Sequence, residues 1–96
     1  LDLKNNNPVA QVFSNHTGMG VEYSTNQPGI QFYTGNMMNR KYNGKYNKKY
    51  GIQHGMCLET QNFPDAINNK NFPSPVLKKG ETYNSFTKIK LRNDFI

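Results

Sequence analysis

Turn-forming residues cut this chain at intervals too short for helices. Gly18 and Gly20, Gln27-Pro28-Gly29, Gly35-Asn36, Pro64 and Lys79-Gly80 bracket short extended runs, and no window carries the apolar repeat of an amphipathic helix. The pattern predicts five strands, at residues 9–13, 21–25, 30–34, 56–60 and 81–91. The first two are expected to form a hairpin across the turn at 15–20, and Gln27-Pro28-Gly29 to launch the third, with Pro fixing one dihedral and Gly free to take positive φ. Residues 37–51 read as the longest loop, 63–66 as a short turn or single helical turn, and the residues after Arg92 as a frayed tail. The fold class is therefore all-β, part of a sandwich or barrel with long unpaired edges.

Such strands need a core, and the composition supplies a thin one. Only 34% of the 96 residues are hydrophobic, the mean hydropathy is -0.86, and a chain this short buries a small share of its surface. Neither a disulfide framework nor a structural metal site compensates, because His16, His54 and Cys57 do not fall at metal-ligand spacing. The chain starts at Leu1 without Met, which fits a piece of something longer whose partner strands lie upstream. We expect residues 1–96 to be a segment of one domain, with nothing marking a boundary inside it.

Charge and cysteine usage bound the surroundings. No apolar run reaches the roughly 18 residues of a membrane span, and no signal peptide is visible. The single Cys57 has no internal partner and sits in an apolar run, so it reads as a small core residue in a reducing, cytoplasmic setting. Asn15-His16-Thr17 matches a glycosylation acceptor, a three-residue pattern common by chance. The net charge of +6 gathers in Arg40, Lys41, Lys45, Lys48 and Lys49, interleaved with Tyr42, Tyr46 and Tyr50. Basic and aromatic residues so mixed can hold phosphates and stack on bases. No nucleic-acid module signature accompanies them, and an Asn-rich bias that includes Asn5-Asn6-Asn7 and Asn68-Asn69 explains the stretch as a solvated loop, so no nucleic-acid partner is expected.

The chemistry concentrates in two of the strands. Alternation puts Ile30, Phe32 and Thr34 on one face of the third and Gln31 with Tyr33 on the other, while Met56 and Leu58 oppose Cys57 and Glu59 in the fourth. If both apolar faces enter one core, Gln31, Glu59 and Tyr33 line a common polar surface, although Tyr33 fits the core equally well. Such a surface suits a sugar, whose hydroxyls need amides and carboxylates in fixed directions. A Glu on a strand otherwise simply points into water.

Two longer segments carry a family signature. Gln27-Pro28-Gly29-Ile30-Gln31-Phe32-Tyr33-Thr34-Gly35-Asn36 and Cys57-Leu58-Glu59-Thr60-Gln61-Asn62-Phe63-Pro64-Asp65-Ala66 closely resemble the C-terminal part of the galactose mutarotase (aldose 1-epimerase) family. Asn71-Phe72-Pro73-Ser74-Pro75-Val76-Leu77 and Gly80-Glu81-Thr82-Tyr83 resemble that family's approach to its final strand, and the likeness extends over about residues 21–90. The resemblance implies the C-terminal portion of a large antiparallel β-sandwich, incomplete on its own, with the remainder of the domain upstream. It implies Glu59 as the catalytic base and Gln31 as a sugar-binding residue. His54 matches a family histidine beside the base strand and is not taken for the acid, which the resemblance puts upstream of Leu1. Met56 stands where the family often has an aromatic residue, and the loop at 37–51 is unusual in composition; neither departure touches Gln31 or Glu59.

The implied activity is interconversion of the α and β anomers of galactose or glucose by general acid-base ring opening, with no metal or organic cofactor. The parent would be an isomerase acting on a small hexose, and the segment alone would be inactive for want of its acid. A second reading keeps the cleft for sugar recognition without catalysis. A third uses the basic stretch at 40–50 as a nucleic-acid-binding module, which demands binding that weakens steeply with salt.

Overall fold

A computed structural model of the chain describes residues 7–95, so Leu1, Asn5, Asn6 and Ile96 lie outside the described residues. Five strands form: β1 (Ala10–Phe13), β2 (Gly20–Thr25), β3 (Gly29–Tyr33), β4 (Cys57–Gln61) and β5 (Thr87–Arg92). All pair antiparallel, in a three-stranded sheet ordered β1-β2-β5 and a two-stranded sheet of β3 with β4. Among the described residues the only helical turns are short 3-10 segments, so the all-β expectation holds. The chain divides into two compact units, Leu1–Gln27 with Pro75–Ile96 and Pro28–Ser74.

In the first unit β1 and β2 are the expected hairpin. Ser14 accepts at Oγ from the N–H groups of His16 and Thr17, and Gly18 at φ 71° returns the chain to β2. Asn15-His16-Thr17 lies exposed on this turn. The register sorts the faces: Ala10, Val12, Val21, Tyr23, Ile89 and Leu91 share one, while Gln11, Glu22, Ser24, Lys88, Lys90 and Arg92 share the other.

Glu22 anchors the charged face. Its side chain is only 12% exposed; Arg92 Nη1 donates to its Oε1 at 2.7 Å, Gln11 Nε2 to the same oxygen at 3.0 Å, and Lys90 lies 3.8 Å away. The Arg92 hydrogen bond, outweighing partial desolvation, holds the Glu22 carboxyl below its ordinary value, and Arg92 does the same to Asp94.

Two differences from the sequence expectation have local causes. The last strand begins at Thr87, not at residue 81, because its partner β2 ends at Thr25. Beyond that point side chains replace the ladder: Phe86 N–H donates to Asn26 Oδ1, Asn26 Nδ2 to the Asn84 carbonyl, and Gln27 Nε2 to Ser85 Oγ and the Tyr83 hydroxyl. Nor do residues 93–95 fray. Phe95 stacks on Phe13 with centroids 4.9 Å apart, Arg92 lies over its ring, and its N–H donates to the Gly18 carbonyl. Gly20 makes room for this, since a Cβ there would stand 2.8 Å from the Phe13 Cβ.

The second unit holds β3 and β4 with the residues between them. Gly35 at φ 74° ends β3, and its carbonyl accepts from Met38 and Gln53 N–H, closing the loop at both of its ends. The expected loop contains more order than its composition suggests: Asn43 and Lys49 form an isolated antiparallel bridge around a 3-10 turn at Lys45–Asn47.

The core is as thin as the composition implied. Ala66 is the one buried hydrophobic residue among those described, while Phe32, Ile89 and Leu91 are exposed. Burying a side chain of that size stabilises by about 1.5–3 kcal/mol, so the open apolar faces mark stability that this stretch of chain does not gain from its own contacts.

Candidate sugar site on the β3–β4 sheet

Strand alternation and register together decide what this small sheet presents. Gly29 pairs with Gln61, Gln31 with Glu59, and Tyr33 with Cys57, so these six residues share one face. Ile30, Phe32, Leu58 and Thr60 share the opposite one. Gln31 and Glu59 are directly opposed, which sets their Cβ atoms about 4.5–5.5 Å apart. Both side chains are exposed, and among the described residues neither the Gln31 amide nor the Glu59 carboxylate is engaged by another side chain. An amide beside a free carboxylate offers two N–H donors and several acceptor oxygens within one small area.

The surrounding positions follow from the same ladder. Tyr33 is half-buried, on the Gln31 face, and its hydroxyl oxygen accepts from the Met37 N–H at 2.9 Å. That bond ties the turn after β3 to the sheet. Cys57 is a correction to the sequence reading: it is exposed, on the Glu59 face, rather than a small core residue. Its exposure is shared along that face, where Gln31 and Glu59 are exposed as well. His54 sits in the turn before β4, where its N–H donates to the Gly51 carbonyl.

At the other end of the ladder the sequence reading missed a residue. A Cβ added to Gly29 would stand 2.8 Å from Phe63 Cε1 and 2.9 Å from Cδ1, so the Phe63 ring lies over Gly29. The sequence carried half of the signal, the alternation of Glu59, Gln61 and Phe63; the gap left by Gly29 opposite Gln61 comes from the register.

The basic stretch forms its own surface in this unit. Lys41 lies over the Tyr42 ring at 5.2 Å and Lys45 over Tyr46 at 5.5 Å, so these cations already meet the aromatic faces beside them. No group of three or more His, Cys, Asp or Glu that could hold a metal occurs among the described residues, and none of their helices is long and apolar enough to cross a membrane.

The architecture defines an antiparallel β protein with an amide and a carboxylate paired on one open sheet face. A sequence model of aldose 1-epimerases matches residues 1–90, and the chain belongs to the aldose 1-epimerase family. It is 49% identical over 74 residues to a galactose mutarotase of Sus scrofa, covering 75% of this chain and 22% of that protein. It is 46% identical over 81 residues to a galactose mutarotase of Rattus norvegicus, covering 84% and 24%. An aldose 1-epimerase of Escherichia coli is 31% identical over 81 residues, covering 82% and 23%. The chain thus spans about a quarter of the length of the curated relatives it matches.

Proposed function

We propose that this chain forms one side of the active site of an aldose 1-epimerase, with Glu59 as the general base and Gln31 as a substrate-binding residue. The observation that carries the proposal is the direct cross-strand pairing of Gln31 with Glu59 on an exposed sheet face. Mammalian relatives named galactose mutarotase make galactose the first substrate to test, with glucose as the second.

The chemistry asks little of this side of the site. Glu59 takes the proton from the C1 hydroxyl as the bond between C1 and the ring oxygen breaks, and an acid elsewhere in the complete domain delivers a proton to that oxygen. The product is the open-chain aldehyde. Rotation about C1–C2 presents the other carbonyl face, and the reverse transfers close the ring as the other anomer. A positioned base typically contributes about 10²- to 10⁴-fold. Gln31, opposite the base, holds the sugar hydroxyls so that the anomeric oxygen stays within reach of the carboxylate.

The acid and further sugar contacts belong, in this proposal, to the rest of the same domain, so the 96 residues alone are inactive. We place the protein in the cytoplasm, where an exposed, unpaired thiol such as Cys57 stays reduced. Polarimetric mutarotation by the complete polypeptide carrying this chain, compared with its Glu59→Gln form, tests the proposal.

A further inference from the structure

We infer that Phe63 is the apolar wall of the sugar site, a binding residue that fixes where a hexopyranose sits along the β3–β4 face; this rests on the function proposed above. The ladder gives the placement. Same-face pairs follow one another every two residues, about 6.6–6.8 Å along the strands, so the Gly29–Gln61 pair is the immediate neighbour of the Gln31–Glu59 pair. A hexopyranose held by Gln31 and Glu59 spans a comparable width. That pair presents the Gln61 side chain on the β4 side and, on the β3 side, the Phe63 ring, which occupies the space a side chain at position 29 would take.

Phe63 is braced for such a role. Its carbonyl accepts from Ala66 N–H at 3.1 Å, and successive bonds from Asn68 to Asp65, Asn69 to Ala66 and Phe72 to Asn69 coil the chain back upon it. Phe72 then packs against Phe63 at a centroid distance of 5.0 Å and an interplanar angle of 57°. Ala66, within this coil, is buried. The result is a two-ring apolar edge bordering a polar floor, the combination a sugar fits with its C–H groups against the ring and its hydroxyls on the amide and carboxylate.

Position 29 provides the control. Its φ is not in the left-handed region, so Ala is compatible with the backbone, but its methyl would have to displace the Phe63 ring. Gly29→Ala and Phe63→Ala should therefore act through one structural element, and their effects should not add.

The test is the kinetics of galactose mutarotation by the complete polypeptide in four forms: wild type, Gly29→Ala, Phe63→Ala and the double variant, each with its Tm. Phe63→Ala is expected to raise KM roughly three- to tenfold with kcat nearly unchanged, Gly29→Ala to raise it less, and the double variant to match Phe63→Ala alone. An unchanged KM in Gly29→Ala and Phe63→Ala, a loss of Tm without any change in KM, or effects that multiply in the double variant would overturn the inference. If Phe63→Ala does not fold, an unchanged KM in Gly29→Ala overturns it by itself. Mutarotation that depends on Glu59 but ignores Phe63 removes only the wall, whereas no mutarotation by the wild type removes the proposed function beneath it.

Discussion

Gln31 and Glu59 stand directly opposite one another across the β3–β4 ladder, so a neutral amide and a carboxylate leave the same sheet face one strand spacing apart. Residues 34–56 separate the two strands, and only the antiparallel register brings these side chains together. A slip of one residue would turn Glu59 to the face of Ile30 and Phe32.

In the proposed site Gln31 would bind the sugar through neutral hydrogen bonds. Replacing it with Leu in the complete protein should raise KM for galactose by roughly 2- to 12-fold, with a smaller effect on kcat. Initial rates by polarimetry over a range of galactose concentrations provide the check, and an unchanged KM would remove Gln31 from the site.

Cys57 offers a reporter for the proposed site. It lies one pair beyond Glu59 and is exposed. Bound hexose should slow its alkylation by iodoacetamide, and the adduct should slow mutarotation. Mass spectrometry of the modified residue, with and without saturating galactose, measures the first effect; equal rates in both conditions would mean that the sugar binds elsewhere.

Gly35 sets the loop between the two strands. At φ 74° a side chain is strained, and a Cβ there would run into the backbone carbonyl of Gly55. Gly35→Ala should cost about 1–3 kcal/mol, read as a lower denaturation midpoint at unchanged slope. A midpoint equal to that of wild type would show that the turn relaxes freely.

The Glu22–Arg92–Asp94 network gives the first unit an acid-sensitive element. Both carboxyls titrate lower in the folded chain than their ordinary values of 4.5 and 3.8, so their contribution is full above those values. It fades as the pH falls through the lowered folded values. Tm should therefore drop on acidification below about pH 4. Glu22→Gln should lower Tm at neutral pH by roughly 2–4 °C and flatten its acid dependence, a modest effect because Arg92 and Asp94 are partly open to solvent. Parallel Tm–pH curves for the two forms would argue against the network.

Alternation and turn chemistry made the strands and the Gln31–Glu59 face legible in the sequence, because both depend on neighbours in the chain. Cys57 and Phe63 escaped for the opposite reason. Whether Cys57 is covered depends on what packs on the whole β3–β4 face, and the Phe63 position depends on a Gly in another strand, facts that local pattern does not carry. The start of β5 was misplaced in the same way: residues 81–86 alternate like a strand, yet β2 ends first and Asn26 and Gln27 take over their hydrogen bonds. The docked Phe95 likewise owes its place to Phe13 and Gly20, where β1 ends and β2 begins.

The most direct measurement is the rate of anomer equilibration of α-galactose by the complete polypeptide and its Glu59→Gln variant, followed by polarimetry, with matched Tm values confirming that both are folded. Loss of the base should lower kcat by about 10²- to 10⁴-fold while galactose still binds. A folded Glu59→Gln protein that equilibrates galactose at nearly the wild-type rate would contradict the assignment of Glu59 as the general base.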